Sequence, residues 1–361
     1  MSFNYVGNYG RRPPCDCRRR CRLARAHAMS ESVDALPDGG KEFLDHAGWA
    51  ACVVDTIPGD ASFRRYFRLR KGRERAMLMH APPPHEDPKP FLDVAHWLHD
   101  NGLRAPEIFA EDAGAGWVLT EDFGNDRMRD WLDDHPEGEH GAYASAIDAL
   151  VPLHRIEAGP FPAYDLATYV REAKLLTEWY TPTMGLDVDA AQYEAAWHAA
   201  LAPLLERQGK GVTVLRDYHA ENIMLLDPSE DGSGEQGLID FQDALAGHPA
   251  YDLVSLLQDA RRDVAPALEA QMLERYKAQV DVGEHFDADY ALLGAQRNAK
   301  IVGIFTRLYK RDGKPRYLDF IPRVWEAMER DLKHPALGPV AEWFATNIPA
   351  QLRETGGGKI A

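Results

Sequence analysis

The 361 residues, 45% of them hydrophobic, suffice for one large domain or for two lobes that each bury a core. No run of about eighteen apolar residues occurs, and the Arg-rich start lacks an apolar signal segment, so the composition points to a cytoplasmic protein without a membrane span. The formal net charge of −16 is uneven: residues 1–28 hold seven Arg against one Asp and carry +6, which leaves −22 for the rest and argues against nucleic acid as a partner.

Residues 1–28 read as a disordered tail, or as a segment missing from the mature chain, with Met29 as an alternative start. Cys15, Cys17 and Cys21 fall in this tail without the spacing or the fourth ligand of a metal knuckle, and Cys52 stands alone; all four are expected to be reduced thiols. Residues 38–47 predict a short helix. Residues 51–57, 65–69 and 75–80, with period-two alternation and a turn at Lys71-Gly72-Arg73, predict antiparallel strands. The small-residue loop 59–62 between the first two can offer backbone N–H groups to phosphates, or be a plain hairpin tip. Residues 87–101 predict a helix with Phe91, Val94, Ala95 and Leu98 on one face and Gly102 as its C-terminal cap. Two more strands, 108–110 and 117–120, complete a small lobe of about five strands.

From Met128 onward the periodicity is helical, over 143–154, 167–179, 190–208, 251–258, 265–279, 290–309 and 323–344. Only 223–226 and 237–239 read as strands there, joined by a polar loop from Asp227 to Gly234. The expected fold class is therefore α+β: a small antiparallel-sheet N-terminal lobe (29–124), a larger, mainly helical C-terminal lobe (125–350), and a frayed Gly-rich end (351–361).

The chemistry concentrates in Leu215-Arg216-Asp217-Tyr218-His219-Ala220-Glu221-Asn222 and Ile239-Asp240-Phe241-Gln242-Asp243. Any one of Asp217, Asn222 and Asp240 alone would pass as a turn or cap residue. Their order is carboxylate, amide, apolar strand, polar turn, apolar strand, carboxylate, which puts all three at the mouth of one hairpin. Phosphoryl transfer from a nucleotide needs such a set: a carboxylate to orient the attacking hydroxyl, and oxygen ligands to hold Mg²⁺ on the phosphates.

These two segments resemble the aminoglycoside phosphotransferase (choline-kinase-like) family, whose catalytic loop ends in Asn and is followed by Ile-Asp-Trp/Phe. Gly247-His248-Pro249-Ala250-Tyr251-Asp252-Leu253 is similar to that family's Gly-x-Pro-x-Tyr-Asp-Leu segment, and Val118 to Gly124 to its inter-lobe linker. The resemblance covers roughly residues 40–345. Ile239 to Ala244, 252–259 and Leu78 to Pro83 are further similar to the members acting on cell-wall amino sugars. The resemblance implies a two-lobed, protein-kinase-like fold using ATP and Mg²⁺. Asp217 would be catalytic, and Asn222 and Asp240 would hold the metal. Ser62, Phe63, Arg64, Glu121 and Phe123 would bind the nucleotide, and Arg216, Gln242 and Asp243 would face the acceptor. Asp252 would brace the catalytic loop. The implied reaction is phosphorylation of the anomeric hydroxyl of N-acetylmuramate or N-acetylglucosamine by a monomeric, cytoplasmic sugar kinase.

Two departures keep alternatives open. The family's His-Gly before the catalytic Asp is Leu215-Arg216 here, so Arg216 could brace the loop or touch a phosphate. The third strand lacks the family's Lys; His80 is too weakly cationic at neutral pH to replace it fully, so Arg64, Arg65 or Arg75 would have to do so. An aminoglycoside or other small-alcohol kinase and a nucleotide-binding pseudokinase remain the competing functions. Arg297 and Lys300 share a helix face that either meets an acidic substrate or is solvated. Trp179, Tyr180, Trp197 and Trp343 are expected in the core.

Overall fold

The computed structural model describes residues 36–57 and 63–360, so the expectations for residues 1–28 and for Ser62 lie outside the described residues. The chain divides into two compact units: the described part of Met1–Pro88 with Ile108–Asp122, and Lys89–Glu107 with Phe123–Ala361.

The first unit holds α1 (Gly40–His46), β1 (Val53–Ile57), β2 (Arg65–Lys71), β3 (Glu74–His80), β4 (Ile108–Asp112) and β5 (Trp117–Glu121), with the strands in one antiparallel sheet of order β1-β2-β3-β5-β4. Register aligns the apolar alternation into rows: Phe67 opposes Leu78, which opposes Leu119, while Val54 opposes Leu69 and Leu69 opposes Ala76. Leu44, Trp49 and Trp117 complete this buried layer beneath α1. Close approach of α1 needs Gly40, where a Cβ would lie 2.9 Å from the Trp117 ring. Cys52 is a buried free thiol in the same layer.

The second unit begins with α2 (Lys89–Asp100). It continues through α3 (Met128–Asp134), α4 (Glu139–His154), α5 (Leu166–Ala173), α6 (Ala190–Gln208), β6 (Val212–Val214), β7 (Ile223–Leu226), β8 (Glu235–Leu238), β9 (Leu245–Gly247), α7 (Ala250–Leu257), α8 (Pro266–Lys277), α9 (Phe286–Asp312), α10 (Ile321–Asp331), α11 (Gly338–Asn347) and α12 (Ala350–Glu354). α2 joins this unit through side chains it buries there: Phe91 stacks on Phe241 at 5.1 Å and Trp97 meets Phe161 edge-on at 5.4 Å. The fold class is α+β as expected, and β7 pairs β8 at the hairpin read from the sequence.

Four details differ from the sequence expectation. β6 and β9 form a second short pair, each too brief to show a period. The helix expected over 323–344 is two helices, α10 and α11, separated by a 3₁₀ turn at Pro335–Leu337 where proline interrupts the hydrogen-bond ladder. The helix expected over 167–179 passes from α5 into a π turn, Leu176–Tyr180. The Gly-rich end does not hang free: Gly356, Gly357 and Gly358 take left-handed conformations, and Tyr180 donates to the Gly357 carbonyl at 2.7 Å. Tyr180, Trp197 and Trp343 are buried, as core packing requires.

α9 runs through the middle of this unit, and glycine lets it do so. A Cβ on Gly303 would lie 2.3 Å from the backbone of Leu175, so α9 and the turn after α5 meet main chain to main chain. No helix among the described residues is long and apolar enough to cross a membrane. Gly303→Ala should therefore lower stability by about 1–3 kcal/mol through overpacking, read as a shift in the denaturant midpoint. Gly185→Ala, at a position with open space, serves as the strained-backbone control.

Candidate active site

The segment Leu215–Asn222 leaves β6, turns, and enters β7. Its course is set by one carboxylate. Asp252 on α7 is fully buried and accepts hydrogen bonds from the backbone N–H of Leu215 at 2.7 Å and of Arg216 at 2.8 Å. His154 Nε2 approaches the same carboxylate at 3.6 Å, with its Nδ1 on the Tyr276 hydroxyl at 2.8 Å. Further along, buried Asp259 accepts from the N–H of Ala220 at 3.3 Å and of Arg261 at 2.8 Å. Asp252 is thus the loop brace expected from the sequence, and Asp259 is a second one not anticipated. It lies just past the end of α7, in the run 252–259.

The loop and the segment after β8 meet through one side chain, Asn222. The Asn222 amide donates to the Asp217 carbonyl at 3.0 Å and to Asp240 Oδ2 at 3.1 Å, because β7 and β8 set Ile223 opposite Leu238 and so bring Asn222 and Asp240 to the same mouth. Asp240 sits at φ +60, a left-handed conformation unusual for a non-glycine residue. Phe241, fully buried against Phe91, anchors its chain on one side. Gln242, expected at the acceptor, instead donates from its amide to Asp240 Oδ1 at 3.0 Å. A hard cation takes few protein oxygens when phosphates supply the rest, and the adjoining Asp240 carboxylate and Asn222 amide fit that donor set.

The Asp217 side chain is about half exposed, at 48%. Burial of its surroundings alone would raise its carboxyl, but Lys300, His219, Arg297 and Arg216 outweigh it and hold the group below the ordinary aspartate range. His219 is buried, its Nδ1 accepting from the Glu221 N–H at 3.3 Å and its Nε2 3.2 Å from Arg261. Burial lowers its imidazole, against the pull of Asp259, and Arg261 lowers it further.

Arg216, the residue that departs from the family's glycine, takes φ +69. Its guanidinium pairs with Glu172 of α5, lies 5.5 Å over the Tyr164 ring and reaches the Asp243 carbonyl at 3.4 Å. It is committed to bracing the loop. Glu172 also accepts from the Tyr164 hydroxyl and pairs with Lys300 at 3.1 Å. Burial would raise Glu172, but Lys300 and Arg216 prevail and keep it below the ordinary range. Nothing in the sequence pattern singled out Glu172, which lies about 44 residues before its partner. Arg297 is 4% exposed and the Lys300 side chain 13%, so their helix face is not a solvated one. Asp243 is exposed.

In the first unit, the Phe63 N–H donates to Glu86 at 3.3 Å, Arg64 pairs with the same carboxylate at 3.4 Å, and Glu121 ends β5 opposite Ala76. Phe123 belongs to the second unit, where it packs on Gly237 and under the Arg104 guanidinium at 4.6 Å. His80 stacks on Trp117 at 3.9 Å, and burial, aided by Arg65, lowers its imidazole, so it cannot serve as the missing third-strand cation at neutral pH.

A loop held by buried carboxylates, with a half-exposed Asp beside a paired Asn and Asp, is equipped for phosphoryl transfer. The sequence profile of the phosphotransferase enzyme family (APH) matches residues 53–290. The chain belongs to this family. It is similar to the N-acetylmuramate/N-acetylglucosamine kinase of Caulobacter vibrioides, at 36% identity over 352 residues, covering 86% of this chain and 96% of that protein. It is also similar to the protein of the same name from Pseudomonas aeruginosa, at 36% over 316 residues, covering 83% and 90%. Among solved structures, the choline kinase LicA from Streptococcus pneumoniae shares the fold at a TM-score of 0.55 and 15% identity, over 82% of this chain and 97% of that one. The ADP-bound aminoglycoside phosphotransferase APH(2'')-Ib does so at 0.54 and 14%, over 91% and 99%. The two-lobed, kinase-like architecture is thus the family's, and the protein is a phosphotransferase.

Removing the brace should cost both fold and turnover. Asp252→Ala leaves two buried N–H groups without an acceptor, and should lose about 3–5 kcal/mol of stability, measured by denaturant titration. Asp259→Asn keeps an acceptor oxygen and should cost much less.

Proposed function

We propose that this phosphotransferase is an ATP-dependent sugar kinase that phosphorylates the anomeric hydroxyl of N-acetylmuramate and N-acetylglucosamine, for the recovery of cell-wall amino sugars. The similarity over most of both chains to kinases of that name supports the acceptor class. The half-exposed Asp217, on the loop whose Asn222 bonds both the Asp217 main chain and the Asp240 carboxylate, is the observation that carries the chemistry.

In this reaction the acceptor oxygen attacks the γ-phosphorus of ATP, the bond to the β–γ bridging oxygen breaks, and ADP leaves with the electron pair. Asp217 orients the hydroxyl and accepts its proton, then releases it to solvent. The anomeric hydroxyl is more acidic than an ordinary alcohol, so a carboxylate held below the ordinary range is still a sufficient base. Asn222 and Asp240 would hold Mg²⁺, whose chemistry is to neutralise charge on the phosphates. Gln242 keeps the Asp240 carboxylate oriented for that task. Phe63, Arg64, Glu121 and Phe123 would contribute to nucleotide binding.

The purified protein should turn over Mg²⁺-ATP with N-acetylmuramate and N-acetylglucosamine, and phosphorus NMR should show a sugar 1-phosphate. Turnover only with glucosamine or kanamycin would move the acceptor, and ATP binding without turnover on any acceptor would leave a pseudokinase. Asp217→Asn should lower kcat by about 100-fold or more with little change in ATP affinity; activity within about tenfold of wild type would remove Asp217 from the reaction. Because the base works as the carboxylate and its neighbours depress its proton affinity, kcat/KM should stay flat on the acid side until below about pH 4.

A further inference from the structure

Arg297 is nearly inaccessible, at 4% exposure, in the middle of α9. A buried guanidinium is costly unless its charge and its N–H groups are met. Here Nη2 donates to Ser255 Oγ of α7 at 2.8 Å, and Nη1 is buried without a hydrogen-bond partner. The carboxylate with which it pairs is Asp217, whose Oδ1 lies 3.9 Å from Nη2. The two other cations beside Asp217 are engaged elsewhere: Lys300 with Glu172 and the Tyr251 hydroxyl, and Arg216 with Glu172. Arg297 thus faces one oxygen of the half-exposed carboxylate, Oδ1, from a buried position.

We propose that Arg297 is a positioning residue for phosphoryl transfer, fixing the Asp217 side chain by facing Oδ1 and leaving Oδ2 to the acceptor hydroxyl. This rests on Asp217 being the group that takes the acceptor proton. Ser255, one turn after Asp252, holds the guanidinium in place. The helix that grips the backbone of the catalytic loop thereby also sets, through Arg297, the direction of its carboxylate. Orientation of a base acts in the transition state more than on substrate binding, so the effect belongs in kcat.

The test is steady-state kinetics of the full-length protein on N-acetylglucosamine, or on whichever acceptor wild type phosphorylates, with ATP affinity measured by calorimetry. Arg297→Met should lower kcat by about 10- to 100-fold with both KM values within about twofold. Arg297→Lys, which keeps the charge, should recover part of the loss, and Ser255→Ala should show a smaller loss of the same kind. The double variant Arg297→Met/Asp217→Asn should be no slower than Asp217→Asn alone, because Arg297 acts through Asp217. A kcat for Arg297→Met within about threefold of wild type, a loss confined to KM, or additive losses in the double variant would overturn the proposal. If Arg297→Met does not fold, Arg297→Lys and Ser255→Ala decide: unchanged kcat in both overturns it. Failure of the underlying assignment is seen separately, in Asp217→Asn alone retaining turnover.

Discussion

The whole site hangs on the burial of the Asp252 carboxylate. An ion with no exposure must replace its lost hydration with fixed donors, and the donors available are the backbone N–H groups of Leu215 and Arg216. Satisfying the ion and fixing the loop are therefore one event. Had the acceptor been a side chain on the loop itself, the loop could move with it; because it is on α7, the loop is tied to the core of the second unit. Asp259 repeats the arrangement at Ala220, so the segment carrying Asp217 is clamped on both sides of it. The base proposed for the reaction, Asp217, would be carried on that clamped segment.

The same clamp explains why the chain tolerates strained residues. Arg216 and Asp240 both occupy the left-handed region that suits glycine. Each conformation costs about 1–2 kcal/mol, and each is held by contacts outside its own turn. Arg216 sends its guanidinium to Glu172 and over Tyr164, turning the departure from the family's glycine into a tie between the loop and α5. Asp240 is fixed through Phe241, buried on Phe91, and through amides on both carboxylate oxygens.

How much of this the sequence disclosed follows from the range of each interaction. The β7–β8 hairpin was legible because its two apolar runs and polar turn are local, and the mouth of the hairpin then located Asn222 and Asp240. The period-two runs of the first unit likewise foretold its sheet, since each pleat shows in neighbouring residues. Three-residue β6 and β9 are too short for any period and exist because main-chain groups in the second unit need partners. The break between α10 and α11 was marked by Pro335, yet apolar periodicity on either side masked it. Glu172 was invisible for a different reason: a single glutamate on an amphipathic helix looks solvated until the fold brings Arg216 and Lys300 against it. On sequence alone Gln242 reads as facing the acceptor, and only coordinates show that its amide donates to Asp240.

α9, expected as a helix over 290–309, carries buried polar residues that its periodicity did not show. Its polar residues Gln296, Arg297 and Asn298 are buried in succession, on a helix whose remaining surface packs against the turn after α5, α7 and α10. An apolar helix would fill the same space more cheaply, since buried ions seldom add stability over well-packed hydrophobic side chains. Glycines at 294 and 303 bring the helix close enough for these groups to reach their partners. Lys300 leans on Glu172, and Arg297 on Ser255 and Asp217, so two cations of one helix converge on the loop from behind. Lys300, with His219, Arg297 and Arg216, keeps the Asp217 carboxyl below its ordinary range against burial. Gln296 and Asn298 bond the Tyr169 carbonyl and Gln258, and Arg297 alone of the three faces the half-exposed Asp217 carboxylate.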